Sequence, residues 1–271
     1  MPPLLSILIP CFHYDCTQLV ADLRGKGEVE GIPLEILVGD DTLTHLGRAR
    51  NRNRLARAAK GEWLLFIDCD AAVPADFSLW AYLQGGKGAS VVCGGLRHPS
   101  VNPCPEATLR YKYERAADRR RAAVFRQKQP YARLSTFSLL VQRDLFLSIG
   151  FDEDCVDYGY EDTLFGAELQ RRAIPIAHID NPLLHMGLEP NAEFLAKTET
   201  ALRSLRRLQD KLAGHSRLLA VAGRLHRLHL VPLVRLGWRC LRSPMRANLL
   251  SSHPSLLLFQ AYKLGYFLCL R

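Results

Sequence analysis

Short, continuous apolar runs alternate with amphipathic stretches over the first third of the chain. Leu4 to Pro10 (LLSILIP), Leu34 to Gly39 (LEILVG) and Trp63 to Ile67 (WLLFI) have strand length and end at Gly, Pro or Asp. Runs that are apolar at every position predict strands buried on both faces of a sheet. Between the second and third, Leu46 to Lys60 repeats Leu46, Ala49, Asn53 and Ala56 at helical spacing, with Gly61 placed to end the helix. Strand, helix, strand at this spacing predicts a parallel, doubly wound α/β sheet. A further strand is predicted near 87–95.

Pro99, Pro103 and Pro105 then break the rhythm. Beyond them the pattern predicts a basic helical segment over Glu106 to Lys128, a strand near 134–142 and a short helix ending at Gly150. An Asp-rich loop over 152–160 leads into a helix opening near Glu161, with Phe165, Leu169 and Ala173 as its buried stripe. A strand from Ile174 to Ile179 and an amphipathic helix from Glu193 to Leu212 follow.

Composition narrows the class. The 271 residues are 48% hydrophobic and 23% charged, which supports a sizeable core and excludes a disordered or collagen-like chain. The formal charge of +9 raises nucleic acid, anionic membranes and phosphorylated ligands as partners. Its distribution is uneven: residues 1–202 hold 23 Lys+Arg against 26 Asp+Glu, and residues 203–271 hold 13 against one, Asp210. Eight cysteines without a Cys-x-x-Cys pair argue against a zinc site and a disulfide framework, and for a reducing compartment. Met-Pro-Pro-Leu-Leu lacks the charged start of a signal peptide, and no run approaches twenty apolar residues, so neither a leader nor a transmembrane helix is predicted.

Chemistry collects where the predicted strands end. Ligands of open parallel sheets bind at the carboxyl ends of the strands. There the chain places Pro10-Cys11-Phe12-His13, Asp40-Asp41 and Asp68-Cys69-Asp70. Converging carboxylates repel one another unless a cation or hydrogen-bond donors neutralise them. Alternate residues leaving a strand point the same way, so Asp68 and Asp70 can reach one site, and hard oxygen ligands suit Mn2+ or Mg2+. Asp40-Asp41-Thr42 reads either as an Asx turn or as a nucleotide contact. Glu161-Asp162 opens a helix, where the macrodipole favours carboxylates, and serves either as a cap or as catalytic acids and bases. His178 reads as a core residue.

SILIPCFH, EILVGDDT and GRARNRNRLARAAKGEWLLFIDCD together resemble family 2 glycosyltransferases with the GT-A fold. The resemblance continues through LSTFSLLVQRDLFLSIGFDEDCVDYGYEDTLFGAELQRRAIPIAHIDNPLLHMG and spans about residues 4–187. It implies a mixed, mainly parallel sheet flanked by helices, with a helical appendage at the C-terminus. It implies an inverting, metal-dependent transfer of a hexosyl or N-acetylhexosaminyl group from a nucleoside diphosphate sugar, a UDP-sugar, to a hydroxyl acceptor. By the same resemblance Pro10, His13, Asp40 and Asp41 hold uridine with Arg50 nearby, and Asp68 meets the ribose. Asp70, Asp68 and His185 face the metal, Asp162 is the base and Glu161 its neighbour. His13 stands where Asn or Lys is frequent in the family. Phe137-Ser138 replaces a small residue followed by Asn, which bears on acceptor or donor-sugar recognition.

The expected organisation is a catalytic domain over residues 1–214, with a nucleotide half to about 98 and an acceptor half beyond it, and a basic amphipathic tail over 215–271. Within the tail, Leu228 to Leu241 and Leu256 to Leu270 mix Leu and aromatics with Arg and Lys, as interfacial helices on an anionic membrane do. A helical subdomain with a solvated Arg face has the same composition. The membrane reading places the enzyme in the cytoplasm, peripheral on the inner face of the cell membrane and near saccharide or lipid-linked saccharide acceptors. Two other classes remain: a sugar-phosphate nucleotidyltransferase, which normally carries a Gly-rich loop where PCFHYD stands, and a nucleic-acid binder, which leaves the carboxylates unexplained.

Overall fold

The apolar runs become strands at the expected places. In a computed structural model, which describes residues 3–155 and 158–270, they form β1 (Leu5–Cys11), β2 (Leu34–Asp40) and β3 (Trp63–Ile67). α1 (Thr17–Glu30) and α2 (Arg48–Ala58) connect them, so all three run parallel. β4 (Ala71–Ala72), α3 (Leu79–Gly86), β5 (Val91–Cys93) and β6 (Leu96–Arg97) follow. After α4 (Thr108–Ala117) and a short α5 (Ala123–Arg126), β7 (Ser138–Gln142) enters antiparallel between β3 and β5. α6 (Arg143–Ile149), α7 (Glu161–Arg171), β8 (Ile176–His178) and β9 (Leu183–His185) complete this part.

The main sheet has the order β2-β1-β3-β7-β5-β8, parallel except at β7, and β4-β9-β6 form a small second sheet. Leu5, Ile7 and Ile9 of β1 pack with Leu65, Val92 and Leu140 under α1 and α3. Phe66 turns to the other face and meets Phe146 and Phe151 at ring separations of 4.8 and 5.5 Å, with Phe165 of α7 5.0 Å from Phe151. Burial on both faces explains why β1 and β3 lack a period of two; β2, expected to be buried likewise, lies at the sheet edge, half-buried with Val38 exposed.

Three local expectations change. The basic segment 106–128 is not one helix: α4 stops at Ala117, and Asp118 accepts from Arg121 Nε at 2.9 Å in a short 3-10 turn. Asp readily diverts the backbone into such turns. Gly61 does not end α2, which stops at Ala58; a Cβ at Gly61 would lie 2.6 Å from the Ser6 amide nitrogen of β1. Ala173 is not part of the buried stripe of α7. It is exposed, at φ 54°, in the turn where the Ile174 amide donates to the Leu169 carbonyl. The left-handed conformation disfavours a Cβ, so Ala173→Gly is expected to stabilise the protein by about 1 kcal/mol, measured by urea unfolding, with no change in its chemistry.

The chain divides into two compact units. The described residues of the first are 3–99, 118–155 and 161–187, which hold both sheets. Those of the second are 100–117, 158–160 and 188–270: α4 with α8 (Asn191–Arg207), α9 (Arg217–Arg227), α10 (Val231–Leu249) and α11 (Leu256–Cys269). Its core gathers Leu109, Leu195, Leu249, Phe259 and Tyr262, with Trp238 packed alongside. α11 therefore does not lie free as an interfacial helix; Phe259, Tyr262, Phe267 and Leu268 are buried. Among the described residues no helix is long and apolar enough to cross a membrane.

Candidate functional site

Parallel register brings the carboxyl ends of β2, β1 and β3 to one edge of the first unit. Cys11 pairs with Asp40 in the ladder, and Asp68 follows the last residue of β3. Pro10 sits in β1 opposite Gly39. His13 is exposed at φ 49°, and its amide donates to Thr42 Oγ1 at 3.2 Å. The Phe12 ring, 51% exposed, lies edge-on to His13 at 4.4 Å. This corner presents an open aromatic face beside an acid.

The two neighbouring acids do different work. Asp40 is exposed; its Oδ1 accepts from the Thr42 amide at 2.9 Å, and hydrogen bonding from the Thr42 side chain, then from its amide, holds the carboxyl below the ordinary value. Asp41 is buried, with Oδ1 accepting from Thr44 Oγ1 and the Leu46 amide and Oδ2 from the Gly47 amide. Burial pushes its pKa up, but those donors outweigh it and the net shift is downward. Asp41 thus ties the loop entering α2. Arg50 is also turned to a local partner: its Nε lies 3.6 Å from Glu153 Oε2.

The centre of the cluster is Arg52, which sequence reasoning missed. This α2 residue is 2% exposed, donates from Nη2 to Asp68 Oδ1 at 2.5 Å and from Nη1 to Glu161 Oε1 at 3.4 Å. Its guanidinium lies 5.8 Å from the centre of the Phe151 ring. Burial works against its charge, yet Asp68, Glu161 and Asp162 hold its pKa above the ordinary value. A signal was present: Arg52 lies three residues beyond Ala49 and four before Ala56, on the face predicted to be buried.

Asp162, the second residue of α7, is held by Thr136. The Thr136 amide donates to Oδ2 at 3.0 Å and its hydroxyl to Oδ1 at 2.7 Å. Burial, then the charge of Glu161, pushes the Asp162 carboxyl up to about 6 against the opposing pull of Arg52 and Thr136. The next residue, Phe137, accepts from the Asp68 amide at 3.3 Å and lies edge-on to His185 at 5.3 Å. Thr136-Phe137 therefore joins Asp162, Asp68 and His185.

Asp70 faces His185. The antiparallel pairing of β4 with β9 sets Ala71 opposite His185, and His185 Nε2 lies 3.2 Å from Asp70 Oδ2. A Cβ at Gly187 would come within 2.0 Å of that oxygen, so glycine leaves the carboxylate its space. Burial, then Asp70 and Cys69, raise the Tyr14 phenol. Asp70 and His185 supply one carboxylate and one imidazole at a separation close to the ~3 Å between adjacent ligands of an octahedral metal with ~2.1 Å bonds. Asp68 is held on one oxygen by Arg52 and does not form a close three-ligand group with this pair. This donor set fits Mn2+ or Mg2+. His178 is buried apart from these groups, between Arg126 Nη1 at 2.7 Å and the Pro130 carbonyl at 3.0 Å, and burial lowers its pKa to about 4.

Residues 30–146 match the family model described as Glycosyl transferase family 2, under half of the chain. No curated protein matches the chain. Among solved structures, mannosyl-3-phosphoglycerate synthase from Rubrobacter xylanophilus is similar at 16% identity and a TM-score of 0.51, over 79% of this chain and 76% of that one. Glucosyl-3-phosphoglycerate synthase from Mycobacterium tuberculosis, in complex with Mn2+, UDP-glucose and phosphoglyceric acid, is similar at 15% identity and a TM-score of 0.46, over 76% and 79%. The catalytic domain of Drosophila β1,4-galactosyltransferase 7, in complex with xylobiose, follows at 13% identity and a TM-score of 0.42, over 68% of each chain. At these identities the likeness is one of fold. The mixed sheet with its flanking helices is the GT-A fold.

Proposed function

We propose that the chain is a metal-dependent, inverting glycosyltransferase. It moves a hexosyl or N-acetylhexosaminyl group from a nucleoside diphosphate sugar, a UDP-sugar, to a hydroxyl of a saccharide or lipid-linked saccharide. The observation that carries this reading is the carboxylate cluster around Arg52, in which Asp68, Glu161 and Asp162 share one buried cation beside the Asp70–His185 pair. The match to the glycosyltransferase family over residues 30–146 supports the class.

In this reading Pro10, His13 and Asp40 hold the base, Asp41 shapes the loop beside them, and Arg50 stands at the rim. Asp70, His185 and Asp68 hold Mn2+ or Mg2+, which when bound stabilises the charge of the departing diphosphate. Asp162 takes the proton of the acceptor hydroxyl as its oxygen bonds to the anomeric carbon and the bond to the diphosphate breaks. One displacement inverts the configuration, without an enzyme-bound sugar. Glu161 fixes Arg52. Residues 1–214 carry this chemistry, and residues 215–271 hold the enzyme on an anionic membrane surface, on the cytoplasmic side.

The test is a screen of UDP- and GDP-sugars with Mn2+ or Mg2+, reading release of the diphosphate and the anomeric configuration of the product by NMR. Release from at least one donor and an inverted product are expected. No release from any donor, or a retained configuration, contradicts the proposal.

A further inference from the structure

α10 has two apolar faces, and the core of its unit uses only one. Trp238, Met245 and Leu249 face inward, where Trp238 lies edge-on to Tyr262 at 4.8 Å. Leu233, Leu236 and Cys240, spaced i, i+3 and i+7, form another stripe; Leu233 lies about 140° around the helix from Trp238 at 100° per residue. Leu233 is 66% exposed and Leu236 58% exposed. The corner between α9 and α10 extends the stripe with Leu228, 65% exposed, and Leu230, 41% exposed. Four leucines within nine residues form an apolar ridge of the kind that marks an interaction site.

The charge beside the ridge identifies its partner. Between residues 217 and 242 stand Arg217, Arg224, Arg227, Arg235, Arg239 and Arg242, without one Asp or Glu. All six are exposed. A bilayer with anionic headgroups offers both things the ridge asks for: hydrocarbon for the leucines and phosphates for the guanidinium groups at the same depth. RNA offers phosphates but no apolar slab. A second copy offers leucines but sets these arginines against identical ones.

We infer that the α9–α10 corner, with Leu228, Leu230, Leu233 and Leu236 inserted and the flanking arginines on phosphates, is the edge by which the protein docks on an anionic lipid surface. α11, buried in its unit, is not that edge. The assignment rests on the proposed membrane placement of residues 215–271, which it narrows to one corner, and not on the transfer reaction.

The test is co-sedimentation of the full chain with phosphatidylcholine vesicles, with and without phosphatidylglycerol. Native protein is expected to bind only the anionic vesicles, less tightly at raised salt. Leu233→Asp/Leu236→Asp is expected to weaken that binding at least about tenfold, as is Arg224→Gln/Arg227→Gln. Val29→Asp, which places a new acid on exposed α1, is expected to bind as native. Thermal melts followed by circular dichroism should be unchanged, as should donor turnover in solution, which separates this result from failure of the proposed reaction. Equal vesicle binding by native protein and Leu233→Asp/Leu236→Asp overturns the inference. So does binding to RNA without binding to vesicles, or self-association abolished by the leucine variants in protein that binds no vesicle.

Discussion

Asp162→Asn is expected to lower sugar transfer by about 10²- to 10⁴-fold while leaving the fold intact. Asparagine keeps an oxygen for the Thr136 amide and offers an NH2 to its hydroxyl, so the two contacts that hold Asp162 survive. What disappears is the ability to accept a proton. The native rate is expected to fall about tenfold per pH unit below pH 6, because burial and Glu161 raise the carboxyl to about 6 and the base works only when ionised. Stability moves the other way. A carboxyl raised from 3.8 stabilises the fold while protonated and loses that contribution as pH rises through about 6. Asp162→Asn is therefore expected to be more stable than native protein above pH 6, by about 1–2 kcal/mol after allowance for its partial exposure, with the difference shrinking toward pH 4. A native transfer rate in the variant, or a flat rate profile between about pH 5 and 8, excludes Asp162 as the base.

Arg52→Met carries the largest expected cost to stability, about 3–5 kcal/mol in urea unfolding. The methionine fits the space among Phe151 and its neighbours but leaves Asp68, Glu161 and Asp162 facing one another without their cation. Removing one partner of a buried ion cluster is far more costly than removing the cluster as a whole. In a Glu161→Gln background the same substitution should therefore cost less, and a double-mutant cycle reads that coupling. A loss under about 1 kcal/mol, or strict additivity of the two changes, shows that Arg52 does not organise the acids.

Much of this arrangement was legible in the residues. Buried parallel strands are written as unbroken apolar runs, so β1 and β3 and the acids at their ends could be placed from the residues, whereas the similar run of β2 became a half-buried edge strand. The GT-A fold and the glycosyltransferase match agree with the resemblance carried by those motifs. Other features depend on distant contacts. Asp40 and Asp41 are chemically identical neighbours, and only the fold of residues 44–47 makes one open and the other a loop tie. Arg52 hid among alternating arginines because charge suggests solvent, although helical period put it on the buried face. The tail shows the same limit: Leu228 to Leu241 and Leu256 to Leu270 look alike as sequence, yet the first sends only Trp238 to the core and leaves its leucines exposed, while the second buries Phe259, Tyr262, Phe267 and Leu268.

The most direct test of the central claim is UDP binding by calorimetry with and without Mn2+, in native protein and in Asp70→Ala. Asp70 faces His185 and has space kept for it by Gly187, so the metal and the diphosphate should meet there. Native protein is expected to bind UDP at least about tenfold more tightly with Mn2+, and Asp70→Ala to lose that gain while remaining folded. UDP affinity that is the same without metal, or a metal-dependent gain that survives in Asp70→Ala, would contradict it.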